Sequence, residues 1–300
     1  MVTAILTLLT VLGGTFAIYL IKDLIAHKKN LGPEKTLTAL IVGFITDFFD
    51  TLGIGCFATT TLGFKVSKFL KNDNLLPGTL NAGHTIPVIL EAFLFITVVK
   101  VEALTLSSMV IAAMLGSWLG AKTVSKLPEK KIQRAMGIAL AVTAIIMTLK
   151  QLHILDLLGQ GNKAMGLSGT FLIIAIIGNF ILGALMTAGI GLYAPCMAMV
   201  YMLGLNPLVA FPIMMTSCSA LMPVASLEFI KNDRYSRKGA IGLTIGGVLG
   251  VIVAVKFVTS LDLTILTWVI IAVVMYTSIS MIKSSCRKTA ATLVEMKQGA

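Results

Sequence analysis

Gly43-Phe44-Ile45-Thr46-Asp47-Phe48-Phe49-Asp50-Thr51-Leu52-Gly53-Ile54-Gly55 lies inside an uninterrupted apolar stretch, residues 37–64, that is too long for one membrane-crossing helix. A crossing needs about 17–25 apolar residues. The glycines that close the quoted run therefore read as a break between two helical arms. A second stretch, 168–203, is also too long and is broken by Thr187-Ala188-Gly189-Ile190-Gly191. The Thr-x-Gly-Ile-Gly pattern recurs 136 residues on, and Pro87-Val88 recurs as Pro223-Val224 at the same offset of 136.

Around these two stretches lie seven apolar runs of crossing length: 2–21, 79–99, 105–124, 132–149, 207–230, 239–257 and 264–282. A mean hydropathy of +0.95 belongs to a polytopic membrane protein, and only 12% of residues are charged, against about a quarter in soluble domains. The 24 Lys and Arg residues gather between the apolar runs, because a cation at the bilayer centre costs about 2.5–3.5 kcal/mol or more.

Their distribution also decides how the two long stretches run. If each enters and leaves by the same side, 20 basic residues fall on cytoplasmic segments and only Lys100, Lys150, Lys163 and Lys256 outside. If each crosses once, the split is 15 to 9. The positive-inside rule favours the hairpin. The net charge of +11 is then that rule at work, with no nucleic-acid partner implied.

The first hairpin opens from the cytoplasm and the second from outside, and three crossings follow each. The expected fold is an all-α polytopic membrane protein of seven full transmembrane helices plus two glycine-broken helical hairpins. It divides into two inverted repeats of hairpin plus three helices. The boundaries are an extra helix and basic loop at 1–35, repeat 1 at 36–149, an external linker at 150–167, repeat 2 at 168–282 and a cytoplasmic tail at 283–300. The N-terminus lies outside, since Val2 to Ile21 has basic residues only after it. Inverted repeats with discontinuous helices mark secondary transporters, whose sites sit near the midplane at the breaks.

At such a break a new helix begins with unpaired N–H groups and about half a positive charge, an anion site that needs no Lys or Arg. The expected substrate-binding residues are Thr51, Gly53, Gly55, Cys56 and Thr59 from the first break. Thr187, Gly189, Gly191, Tyr193 and Pro195 are expected from the second. Asp47 and Asp50 share a helical face, and Glu91 lies in the next crossing, one and two turns beyond Pro87 and His84. Intramembrane acids are functional by default, so Asp47, Asp50, Glu91 and His84 are candidates for proton coupling. Other roles stay open: Asp50 as a helix cap, Glu91 bonded to His84 or to a break.

The same residues carry a family resemblance. From about residue 35 to 282 the chain resembles the sulfite exporter TauE/SafE family, also called the toluene-sulfonate uptake permease family. The resemblance rests on the run quoted above and on Gly183-Ala184-Leu185-Met186-Thr187-Ala188-Gly189-Ile190-Gly191-Leu192-Tyr193-Ala194-Pro195. The family's glycine run is usually followed by proline. The second copy keeps it, while the first has Cys56-Phe57 and then Thr59. The resemblance implies a permease for small sulfur-containing anions such as sulfite or organosulfonates, in a prokaryotic inner membrane.

A cation (H⁺ or Na⁺) transporter built on the buried acids is the rival expectation. An enzyme or a scaffold is a third. The chain shows no His-Glu-x-x-His site and no Ser/His pairing. Cys56, Cys196, Cys218 and Cys286 have neither paired nor metal-like spacing and read as free thiols, and the 16 methionines read as core filling. Neither metal nor cofactor is expected. The partners expected are a small anion and the lipid bilayer, with association into homo-oligomers left open.

Overall fold

A computed structural model describes residues 2–52, 54–95, 101–158, 160–257 and 264–286. These are helical, with short turns and no strand among them. In chain order the helices are α1 (Val2–Ala26), α2 (Thr36–Thr51), α3 (Cys56–Val66), α4 (Leu76–Phe95), α5 (Ala103–Val124), α6 (Glu129–Gln151), α7 (Ile154–Leu158), α8 (Gly169–Met186), α9 (Tyr193–Met202), α10 (Pro207–Lys231), α11 (Arg237–Phe257) and α12 (Thr264–Cys286). Hydrocarbon offers no partner to a bare N–H or C=O, so a spanning chain must satisfy its backbone within helices.

Six of them are long and apolar enough to cross a membrane: α1, α5, α6, α8, α10 and α11. One of these, α8, belongs to the second broken stretch. Its 18 residues span about 27 Å at 1.5 Å per residue, close to a full crossing. By contrast, α3 has 11 residues and α9 has 10, about half that length or a little more. Both glycine-rich sequences do end one helix and start another. The expected tail beyond residue 286 and Lys100 lie outside the described residues.

Polarity is arranged as a bilayer demands. Leu37, Ile41 and Ile45 of α2 and Ile173, Ile177 and Ile181 of α8 stand exposed along one stripe of each helix. The interior instead holds Asp47, Asp50, Asn81, His84, Glu91 and Asn179, each almost fully buried. The most enclosed spanning helix is α10, packed against α1, α4, α5 and α9.

The pairings are reciprocal. α2 packs on α11 and α8 on α5; α3 touches α12 and α9 touches α6; α4 meets α11 and α10 meets α5. α4 also packs on α10, and α6 on α12. Exchanging α2–α6 with α8–α12 in order turns each of the first six pairings into another of the set and leaves α4–α10 and α6–α12 as they are. Close approach rests on small residues. A side chain at Gly246 of α11 would run into the Leu40 carbonyl of α2, and one at Gly116 of α5 into the Phe180 carbonyl of α8.

One proline is answered across a helix pair. Pro87 has no N–H to give the carbonyl four residues back. That carbonyl, Gly83 O, instead accepts the Thr244 hydroxyl of α11 at 3.0 Å.

Candidate functional site

The two breaks differ in detail. α2 ends at Thr51 and α3 begins at Cys56, with Gly55 at φ +96° making the reversal. α8 ends at Met186 and α9 begins at Tyr193, with the positive φ (+101°) at Gly189. Such angles favour glycine. Pro195 falls in the first turn of α9, where its missing N–H has no intrahelical partner to lose. The residues just before α3 and α9, Gly55 and Leu192, put no side chain on the first amides of either helix.

Both N-termini reach one cavity of about 330 Å³. Its wall includes Gly55, Cys56 and Phe57 from the first break and Gly191, Leu192, Tyr193 and Pro195 from the second. It extends from the exposed end of α6, at Lys150, Gln151 and His153, down to Asp50, Cys56 and Cys218.

Five of the ten residues expected to bind substrate lie on this wall: Gly55, Cys56, Gly191, Tyr193 and Pro195. Gly53 lies outside the described residues. Thr51, Thr59, Thr187 and Gly189 are off the wall, and the three hydroxyls are already engaged. Thr59 bonds the carbonyls of Gly55 and Cys56 at 3.0 and 2.9 Å, and Thr187 that of Ala184 at 2.7 Å. Thr51 bonds Asp47 O and Glu91 Oε1, each at 2.8 Å. The expectation that they act as open donors to an anion is corrected accordingly: a buried hydroxyl in a helix finds a carbonyl one turn back.

Three of the four acid–base candidates, Asp47, His84 and Glu91, are linked by hydrogen bonds around the first break. Asp47 is paired with His84, whose Nδ1 lies 2.8 and 2.9 Å from its two carboxylate oxygens. Nε2 of His84 is 2.9 Å from the Thr60 hydroxyl, which in turn donates to Thr46 at 2.9 Å. So His84 meets Asp47, while Glu91 meets the breaks. The Tyr193 hydroxyl, 3.4 Å from Glu91 Oε2, joins the start of α9 to the Thr51 end of α2 through one carboxylate.

Asp50 is different. Its side chain is 1% exposed and lines the cavity. Cys56 turns its thiol and backbone N–H toward it, yet neither carboxylate oxygen has a hydrogen bond of regular geometry.

Two features escaped the reading of the sequence. Asp47, Cys56 and His84 bring one ligand atom each to within 4.8 Å of one another. The cavity wall also carries five methionines, at positions 147, 186, 197, 214 and 222, together with Cys218. The second had a partial signal, since Met214, Cys218 and Met222 recur every fourth residue on one face of α10. The first had none, because its members lie on three helices.

The cysteines are free thiols, with Cys56, Cys196 and Cys218 buried and Cys286 exposed. Comparison of the chain with family models, with characterised proteins and with solved structures finds no match.

Proposed function

We propose that the chain is a secondary transporter of the sulfite exporter TauE/SafE type, not an enzyme, and that it carries a small sulfur-containing anion across the inner membrane by alternating access. One observation carries the reading: two interrupted helices present their N-termini to a single cavity. Each terminus offers unpaired N–H groups and about half a positive charge, which in a low-dielectric wall attracts an anion without a cationic side chain. The volume of about 330 Å³ is at the lower end of the range of about 300–1,000 Å³ for small-molecule sites.

In this reading 36–149 and 168–282 are inverted repeats, with α2–α3 and α8–α9 as hairpins entered from opposite sides. The reciprocal helix pairing supports it, as a two-fold relation between the halves requires such exchange. Charge puts the N-terminus outside, the C-terminus in the cytoplasm and the Lys150 mouth of the cavity on the outer face. Glu91, bonded to both breaks, is the acid best placed to couple a proton to their movement.

A cation-transport reading is favoured by one observation, the unpartnered carboxylate of Asp50 on the cavity wall. Flux in proteoliposomes separates the two. Sulfite, thiosulfate, taurine, sulfoacetate and sulfate are offered with and without an imposed pH gradient. Saturable flux of one anion, changed by the gradient, is the expected result. Movement of H⁺ or Na⁺ with no anion requirement would replace the anion reading by the cation one.

A further inference from the structure

Anion transport uses the helix termini but leaves a mixed set of donors beside them without a role. Asp47 of α2, Cys56 of α3 and His84 of α4 are all buried, with an oxygen, a sulfur and a nitrogen mutually within 4.8 Å. A fourth donor adjoins them. Asp50, outside that mutual distance, faces the thiol and N–H of Cys56, and neither of its buried carboxylate oxygens has a hydrogen bond of regular geometry. A buried carboxylate without a well-formed hydrogen bond is costly, and a coordinated cation is one way to satisfy it.

The hydrogen bonds around His84 point the same way. Thr60 gives its hydroxyl proton to Thr46, so toward His84 it can only accept. Nε2 can then donate to it, and Nδ1, the atom facing Asp47, becomes a ligand once the proton it shares with Asp47 leaves. This is the outer hydrogen bond that orients a metal-binding histidine.

We infer that Asp47, Asp50, Cys56 and His84 form a binding site for one divalent transition-metal cation of the softness of zinc. One sulfur, one nitrogen and two carboxylates make a four-coordinate N/O/S set suited to Zn²⁺. Calcium takes six to eight oxygens and magnesium an octahedral oxygen shell, and neither favours sulfur. Zinc–ligand lengths of about 2.0–2.3 Å put tetrahedral ligand atoms roughly 3.3–3.7 Å apart. The Asp47–His84 pair opens slightly from 2.8 Å and the Cys56 sulfur moves in. On binding, the thiol and the Asp47–His84 pair each give up a proton to the cavity. Thioethers along the wall, Met147, Met214 and Met222 among them, offer a soft, uncharged route to the site. The site goes beyond the transport reading and does not depend on which anion crosses.

Binding is tested on the purified full-length protein in detergent, with Co²⁺ as a spectroscopic probe and Zn²⁺ as competitor. The expected result is one Co²⁺ per chain, with a thiolate-to-cobalt charge-transfer band that stoichiometric Zn²⁺ bleaches. Cys56→Ser abolishes the band, whereas Cys196→Ser and Cys218→Ser keep it. Cys56→His restores Zn²⁺ binding without the band, which separates a lost ligand from a lost fold. Asp50→Asn keeps the band and weakens Zn²⁺ binding at least tenfold. A folded wild type with no band, or a band that survives Cys56→Ser, overturns the site. Anion flux is measured on the same preparation reconstituted in liposomes. Flux without the cobalt band refutes the site alone, and the band without flux refutes the transport reading alone.

Discussion

Glu91 bonds to both helix breaks, accepting from Thr51 at 2.8 Å and from Tyr193 at 3.4 Å. Asp47, Asp50 and Cys56 lie within electrostatic reach of it. A glutamine there keeps an oxygen to accept from either hydroxyl but exchanges no proton. Glu91→Gln is therefore expected to keep saturable anion flux and lose the response to an imposed pH gradient. An undiminished response in this variant would remove Glu91 from the coupling. Glu91→Ala does something else, since it leaves the Tyr193 hydroxyl without this acceptor and Thr51 with the Asp47 carbonyl alone. Thermal unfolding in detergent should show a loss of about 1–3 kcal/mol for that substitution and less for the glutamine. That acids sat inside apolar helices was legible from spacing alone. Their partners were not: Asp47 found His84 across 37 residues and Glu91 found Tyr193 across 102.

Between elements, the contacts are set by glycines more than by large side chains. In lipid, helices gain little from burying apolar surface, so close backbone approach and its dispersion contacts decide which pairs form. Gly246 sits against the Leu40 carbonyl, where an added methyl has no room. Gly246→Ala should lower the unfolding midpoint in detergent, by about 1–3 kcal/mol of stability as for other overpacked sites. Gly14 of α1 meets nothing within 4 Å, so Gly14→Ala serves as the control and should leave the midpoint unchanged or slightly raised. Equal effects of the two would show that α2 and α11 do not depend on that contact. The breaks themselves were readable, because a stretch too long for one crossing must turn, and glycine marks where. That α8 reaches almost across while α2 ends at 16 residues was not readable from the same motif.

For the whole molecule, the proposed inverted arrangement makes a prediction about sides. With the native cysteines replaced, Lys71→Cys and Lys163→Cys both carry an exposed thiol on short connections. Membrane-impermeant thiol reagents should label position 71 from the cytoplasmic face only and position 163 from the outer face only. Labelling of both from one face would overturn the hairpin topology. What the sequence by itself determined follows from forces that need only local composition. A run of apolar residues partitions into lipid, Lys and Arg collect on one side, and glycine interrupts a helix whatever it packs against. These forces specify the membrane, the breaks and the candidate acids. Only the tertiary structure decided which breaks share a cavity, which threonines are already engaged and which carboxylate is left without a partner. It also gathered a carboxylate, a thiol and an imidazole from α2, α3 and α4 into one cluster. The reason is geometric: a cavity is bounded by atoms from several helices at once, and their relative rotation follows from interhelical packing that no single helix encodes.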